Sequence, residues 1–155
     1  MKSTILRYGV RAGVLLVVLS WASFYITKSS GVTTAQIASM GVVLFALGFV
    51  PLAIRSVRQQ NGQLITFWMA FFTGALTTTI PAFFMFVSTV VFMKVQRAAF
   101  VEWSVDNAST GIDVEIAAVI MNPFEQGVIM FLTVMIIGTF IALISAVLLH
   151  RSKAE

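Results

Sequence analysis

Arg7 and Arg11 stand four residues apart, so any helix that contains them presents two guanidinium groups on one face. Arginine pairs of this kind grip phosphate through charge-assisted hydrogen bonds, and Arg11 lies one turn inside an apolar run. Two readings follow: an intramembrane charge that holds a substrate or lipid phosphate, or a guanidinium snorkelling back to the headgroups. Glu102 and Asp106 repeat the four-residue spacing with carboxylates, the ligand type of a divalent-cation site. No D-x-D-x-D-G loop accompanies them, and a solvated acidic surface is the plainer reading. Thr77-Thr78-Thr79 followed by Pro81 is the third constellation. A proline removes a helix hydrogen bond and threonine hydroxyls can bond the carbonyls left without a donor, so a helix break is expected at Pro81. Such a break serves either as a simple kink or as the lining of a transport path.

Other chemistry lacks its parts. The chain has no cysteine and a single histidine, His150, which excludes thiolate metal sites, cysteine nucleophiles and a Ser–His or Cys–His pair on the side opposite His150. Asn107-Ala108-Ser109 matches a glycosylation sequon, a tripeptide frequent by chance. An enzyme is not expected, nor is a cofactor or a bound metal.

The elements that carry these residues are set by charge. Residues 12–27, 29–54, 59–93 and 126–150 contain no Lys, Arg, Asp or Glu, and all charges fall in the gaps. Soluble helices keep a charged face toward water, whereas a segment surrounded by hydrocarbon does not. With 59% hydrophobic and 10% charged residues, the 155-residue chain reads as one all-α, polytopic membrane domain with four transmembrane helices. The spans are expected at about 8–26, 35–56, 64–93 and 124–149. The third is too long for one upright crossing, and a tilt or an amphipathic foot near Gln63–Trp68 would take up the excess. The first follows Lys2, Arg7 and Arg11 in the manner of a signal peptide. No A-x-A-like site comes after it, and it is expected to stay as a span.

Basic residues orient the bundle. With the N-terminus in the cytoplasm, the inner side holds Lys2, Arg7, Arg11, Arg55, Arg58, Arg151 and Lys153, against Lys28, Lys94 and Arg97 outside. The positive-inside rule then gives an N-in, C-in topology. The formal charge of +4 is spread over helix ends and does not form the single basic face of a nucleic-acid binder. The outer segment, 94–123, is expected to hold a short, half-buried helix over Asp113–Met121.

Small residues in register mark where membrane helices approach closely. Gly9 and Gly13, then Ala70 and Gly74 (continued by Thr78), then Gly138, Ala142 and Ala146 form three such stripes. They serve packing within the bundle or contact with another subunit. The partners expected are the lipid bilayer and either other membrane subunits or a second copy of the chain.

Several segments together resemble a known family: Met1–Gly13; Ser39–Arg58; Asn61-Gly62-Gln63-Leu64-Ile65-Thr66-Phe67 with Ala70, Phe71 and Gly74; Asn122-Pro123-Phe124 through Gly138; and Leu143–Arg151. The family comprises small four-span bacterial proteins, common in Bacteroidetes and catalogued as a domain of unknown function. The resemblance covers nearly the whole chain. It implies the four-span topology and a bacterial inner membrane, and it lends no activity. This chain departs from the pattern in its short outer segment and in lacking a proline just before Gly138. Three functions stay open: an accessory or structural subunit of a membrane assembly, an oligomeric transporter or channel with a path near Thr77–Pro81, and a protein that binds anionic lipid through Arg7 and Arg11.

Overall fold

The computed structural model describes residues 1–27, 32–96 and 122–150. Five helices occupy them: α1 Lys2–Thr27, α2 Val32–Leu47, α3 Phe49–Gln60, α4 Phe67–Val95 and α5 Pro123–Leu149. α2 and α3 are two halves of one span, so four segments, Lys2–Ile26, Ile37–Gln60, Phe67–Val95 and Pro123–Leu149, are long and apolar enough to cross a membrane. The protein is an all-helical, multi-pass membrane protein. The expected outer helix at 113–121, and with it Glu102 and Asp106, lies outside the described residues.

A helix interruption falls three residues before Pro51, while Pro81 lies inside a continuous helix, as a simple kink would allow. α4 runs without interruption through Pro81, which is buried inside it. The second span is interrupted at Gly48, whose own backbone stays in the right-handed helical region (φ −57°, ψ −18°). Pro51 supplies no N–H for the carbonyl of Leu47, and Gly48 N closes a tight turn on Phe45 O at 3.1 Å. Glycine adds little to hold the helix through this point. Pro81 has the same missing N–H and is buried inside a continuous α4.

The third span keeps its excess length, which a tilt would take up. α3 ends in a turn through Asn61–Gln63, with Gly62 and Gln63 both at positive φ (65° and 70°). Gln63 N donates to Arg58 O at 3.0 Å, and the Arg58 guanidinium returns to Gln63 O at 3.2 Å. Thr66 then caps α4, its hydroxyl accepting from Met69 N at 3.3 Å. No foot forms over 63–68. α4 itself is 29 residues long, about 43 Å of helix against roughly 30 Å of hydrocarbon. Asn122 and Pro123 start α5, the Asn122 side chain accepting from Phe124 N at 3.1 Å.

α4 and α5 form the largest interface, α1 lies along α4, and α3 touches α1, α4 and α5. α2 leans chiefly on α1. The core is narrow, built on Leu16, Ala46, Leu47, Val50, Ile54, Val57, Ala82, Val134 and Ala142. Hydrogen bonds fix which ends meet. Thr4 pairs with Gln60 (3.0 Å), and Arg58 Nη1 reaches Leu149 O (3.5 Å). The start of α1 and the end of α5 therefore sit at the same end of the bundle. At the other end Gln96 Nε2 donates to Tyr25 Oη at 2.9 Å.

Candidate functional site

Two features gather the residues singled out by the sequence: the α4–α5 seam with its flanks, and the basic end of α1. In the seam, α4 presents Ala70, Gly74, Thr78 and Ala82 at every fourth position, all buried. α5 presents Gly138, Ala142 and Ala146, also buried. A Cβ on Gly74 would stand 2.6 Å from Ala142 Cβ and 3.1 Å from Ile54 Cδ1. One on Gly138 would overlap Thr78 Cγ2 and lie 2.7 Å from Thr78 Oγ1. Continuing this antiparallel register one turn each way sets Ala70 opposite Ala146 and Ala82 opposite Val134. The backbones approach because no bulk separates them, which is how helices associate in a solvent that offers no hydrophobic drive.

Gly9 and Gly13 are used the same way on α4. Cβ atoms there would meet Ile80 Cδ1 at 2.5 Å and Phe84 Cγ at 2.8 Å. All seven small residues thus have their neighbours inside this chain. Gly127 belongs with them and was not picked out: a Cβ would stand 2.9 Å from Val90 Cγ2 and 3.0 Å from Phe86 Cδ2. It lies eleven residues before Gly138, three helical turns on the same face, a spacing that a search for every fourth residue passes over.

The threonines around Pro81 are turned inward and closed. Thr73, Thr77 and Thr78 are buried, and their hydroxyls donate to Met69 O, Thr73 O and Gly74 O at 2.7, 2.7 and 3.0 Å. Thr79, exposed, does the same to Ala75 O at 3.1 Å. None of these hydroxyls bonds the Thr77 carbonyl that Pro81 leaves without its donor. The cluster is back-bonded within α4.

Between α4 and α5, on the outside, runs an apolar groove of about 450 Å³ lined by Phe71, Met135, Ile136, Thr139, Phe140 and Leu143. At the basic end, Arg7 and Arg11 are exposed, on the face of α1 opposite Gly9, Ala12, Gly13 and Leu16. Arg55 is exposed as well, while Arg58 is committed to Leu149 O and Gln63 O. Polar ties elsewhere join α1 to α4: Trp21 Nε1 donates to Ser88 Oγ at 2.9 Å, and the Trp21 ring meets Phe92 edge-on at 5.2 Å. Among the described residues, no group of three or more His, Cys, Asp or Glu side chains comes together.

No curated protein and no solved structure matches the chain. A family model does match, over residues 7–151, from the first of the two outward arginines to the basic residue that follows α5. The chain belongs to the family that this model describes, the proteins of unknown function named DUF4199.

Proposed function

We propose that the protein is a non-catalytic membrane subunit that works through its outer surface, as an accessory or structural partner in a larger membrane assembly. The observation that carries this reading is the closed interior. Each small-residue stripe meets a neighbour within the chain, and the threonine hydroxyls at the centre of α4 bond their own helix. Among the described residues, no buried side-chain nitrogen or oxygen lacks a hydrogen-bond partner. This packing among the described residues favours recognition at the periphery, where the α4–α5 groove offers an apolar seat. The basic residues gathered at the shared end of α1, α3 and α5 support a bacterial inner-membrane placement with both termini in the cytoplasm.

The test is isolation of the full chain from its native membranes in mild detergent, followed by native mass spectrometry. A heteromer of fixed stoichiometry is expected. A symmetric homo-oligomer that passes ions or small solutes when reconstituted in liposomes would overturn the reading, and so would a monomer with no associated chain.

A further inference from the structure

α1 and α4 run side by side in the same direction, and their contacts fix how deep each α1 residue lies. Gly9 packs on Ile80, Gly13 on Phe84, Trp21 pairs with Ser88 and Tyr25 with Gln96. Tyr25 and Gln96 mark one polar rim, beside Lys94 at the end of α4. Arg7 and Arg11 come 18 and 14 residues before Tyr25 in one unbroken helix. At about 1.5 Å per residue they lie about 27 and 21 Å from that rim, inside a hydrocarbon layer roughly 30 Å thick. The same register sets Arg11 level with Ala82, near the middle of α4. α1 thus begins one to two turns above the start of α4, and with the Tyr25–Gln96 pair taken as the edge of the hydrocarbon its two arginines fall below the bilayer surface.

They also face outward. Arg7, Arg11, Val14 and Val18 form one exposed stripe, 4, 7 and 11 residues along from the first, while Ile5, Ala12 and Leu16 carry the buried face. No Asp or Glu occurs anywhere in residues 1–96, so neither α1 nor the helices α2, α3 and α4 can supply a counter-ion. The face is bathed in lipid, and a guanidinium there is costly unless an anion or water reaches it. A phospholipid phosphate is the anion at hand.

We infer that Arg7 and Arg11 together hold the headgroup of one anionic phospholipid, drawn inward beside α1, with an acyl chain lying along Val14 and Val18. The two guanidiniums, about 6 Å apart along the helix axis, bracket a single phosphodiester, which Lys or a lone Arg would do less well. A net negative headgroup is favoured because two positive charges face it and no carboxylate occurs in residues 1–96.

The experiment uses the full chain in neutral detergent, titrated with phosphatidylglycerol or phosphatidylcholine and read by native mass spectrometry. The wild-type protein should retain phosphatidylglycerol over phosphatidylcholine, and Arg7→Gln/Arg11→Gln should weaken that retention about tenfold or more, since loss of two charge-assisted contacts exceeds one tenfold step. Arg55→Gln, which removes an exposed charge from the same end of the bundle, should leave it within about twofold. Equal retention by the double variant, equal loss in Arg55→Gln, or no preference between the two lipids would overturn the inference. If the double variant does not fold, the single variants decide: each should weaken retention about threefold or more, and undiminished retention in both would refute the site.

Discussion

Gly138→Ala places one methyl group at the tightest point of the bundle. Its Cβ would overlap Thr78 Cγ2 and stand 2.7 Å from Oγ1 and 2.9 Å from Cβ of the same residue. Thr78 has little freedom to give way: it is fully buried, β-branched, and its hydroxyl is tied to Gly74 O at 3.0 Å. The helices must therefore move apart along a seam built on close approach. Overpacking a rigid core costs about 1–3 kcal/mol, which shifts the unfolding equilibrium roughly five- to hundredfold. Gly41 is the matched control, since a Cβ there meets nothing within 4 Å. Gly41→Ala should be neutral or slightly stabilising, because alanine holds a helix better than glycine. The assay is equilibrium unfolding of the purified chain in mixed micelles, followed by helix circular dichroism. Thr78→Ala completes a double-mutant cycle: it removes the atoms that the new methyl group strikes, so the double variant should be less destabilised than the sum by about 1 kcal/mol. Gly138→Ala at wild-type stability, or a loss equal to that of Gly41→Ala, would refute the packing reasoning.

Trp21→Phe keeps the ring against Phe92 and deletes the bond to Ser88. A loss of about 0.6 kcal/mol is expected in the same titration, with Ser88→Ala adding little more to the double variant. Arg58→Ala removes the donor to Leu149 O and Gln63 O; it should cost about 1 kcal/mol and speed hydrogen exchange selectively in the last turn of α5. The chain has no cysteine, so single cysteines report topology cleanly. Ser3→Cys and Ser152→Cys should react with an impermeant maleimide only from the cytoplasmic side, and Ser109→Cys only from the other; opposite labelling of the first two would refute the N-in, C-in orientation.

The spans were legible because hydrocarbon excludes charge so strongly that four uncharged stretches can be read without weighing any single residue. Helix ends were less so. α1 begins at Lys2, six residues before the expected start, because the helix runs on through charged residues that composition does not mark as part of a span. Proline read alone did not distinguish the interrupted span from the continuous one. Pro51 and Pro81 remove the same type of hydrogen bond, but Gly48 precedes Pro51, whereas Pro81 is buried within a continuous α4. The small-residue stripes were visible as stripes, yet their partners were not: the pairing of Gly74 with Ala142 and of Gly138 with Thr78 depends on which helices are neighbours.

A bundle assembled this way separates stability from recognition. Where two helices meet through glycine and alanine, the interior holds almost no volume, and each buried position is committed to a single neighbour. A substitution there changes whether the chain folds, as the Thr78–Gly138 contact illustrates. The outward side chains are large and carry little of that burden: Ile136, Phe140 and Leu143 beside the α4–α5 groove, Arg7 and Arg11 along α1. They can vary with about 0.5 kcal/mol or less of effect on folding. Their chemistry is consequently free to be set by what the protein touches. Outward variants that leave the unfolding curve unchanged while altering lipid retention or subunit association would place the function on this surface; loss of function confined to seam variants would place it back in the interior.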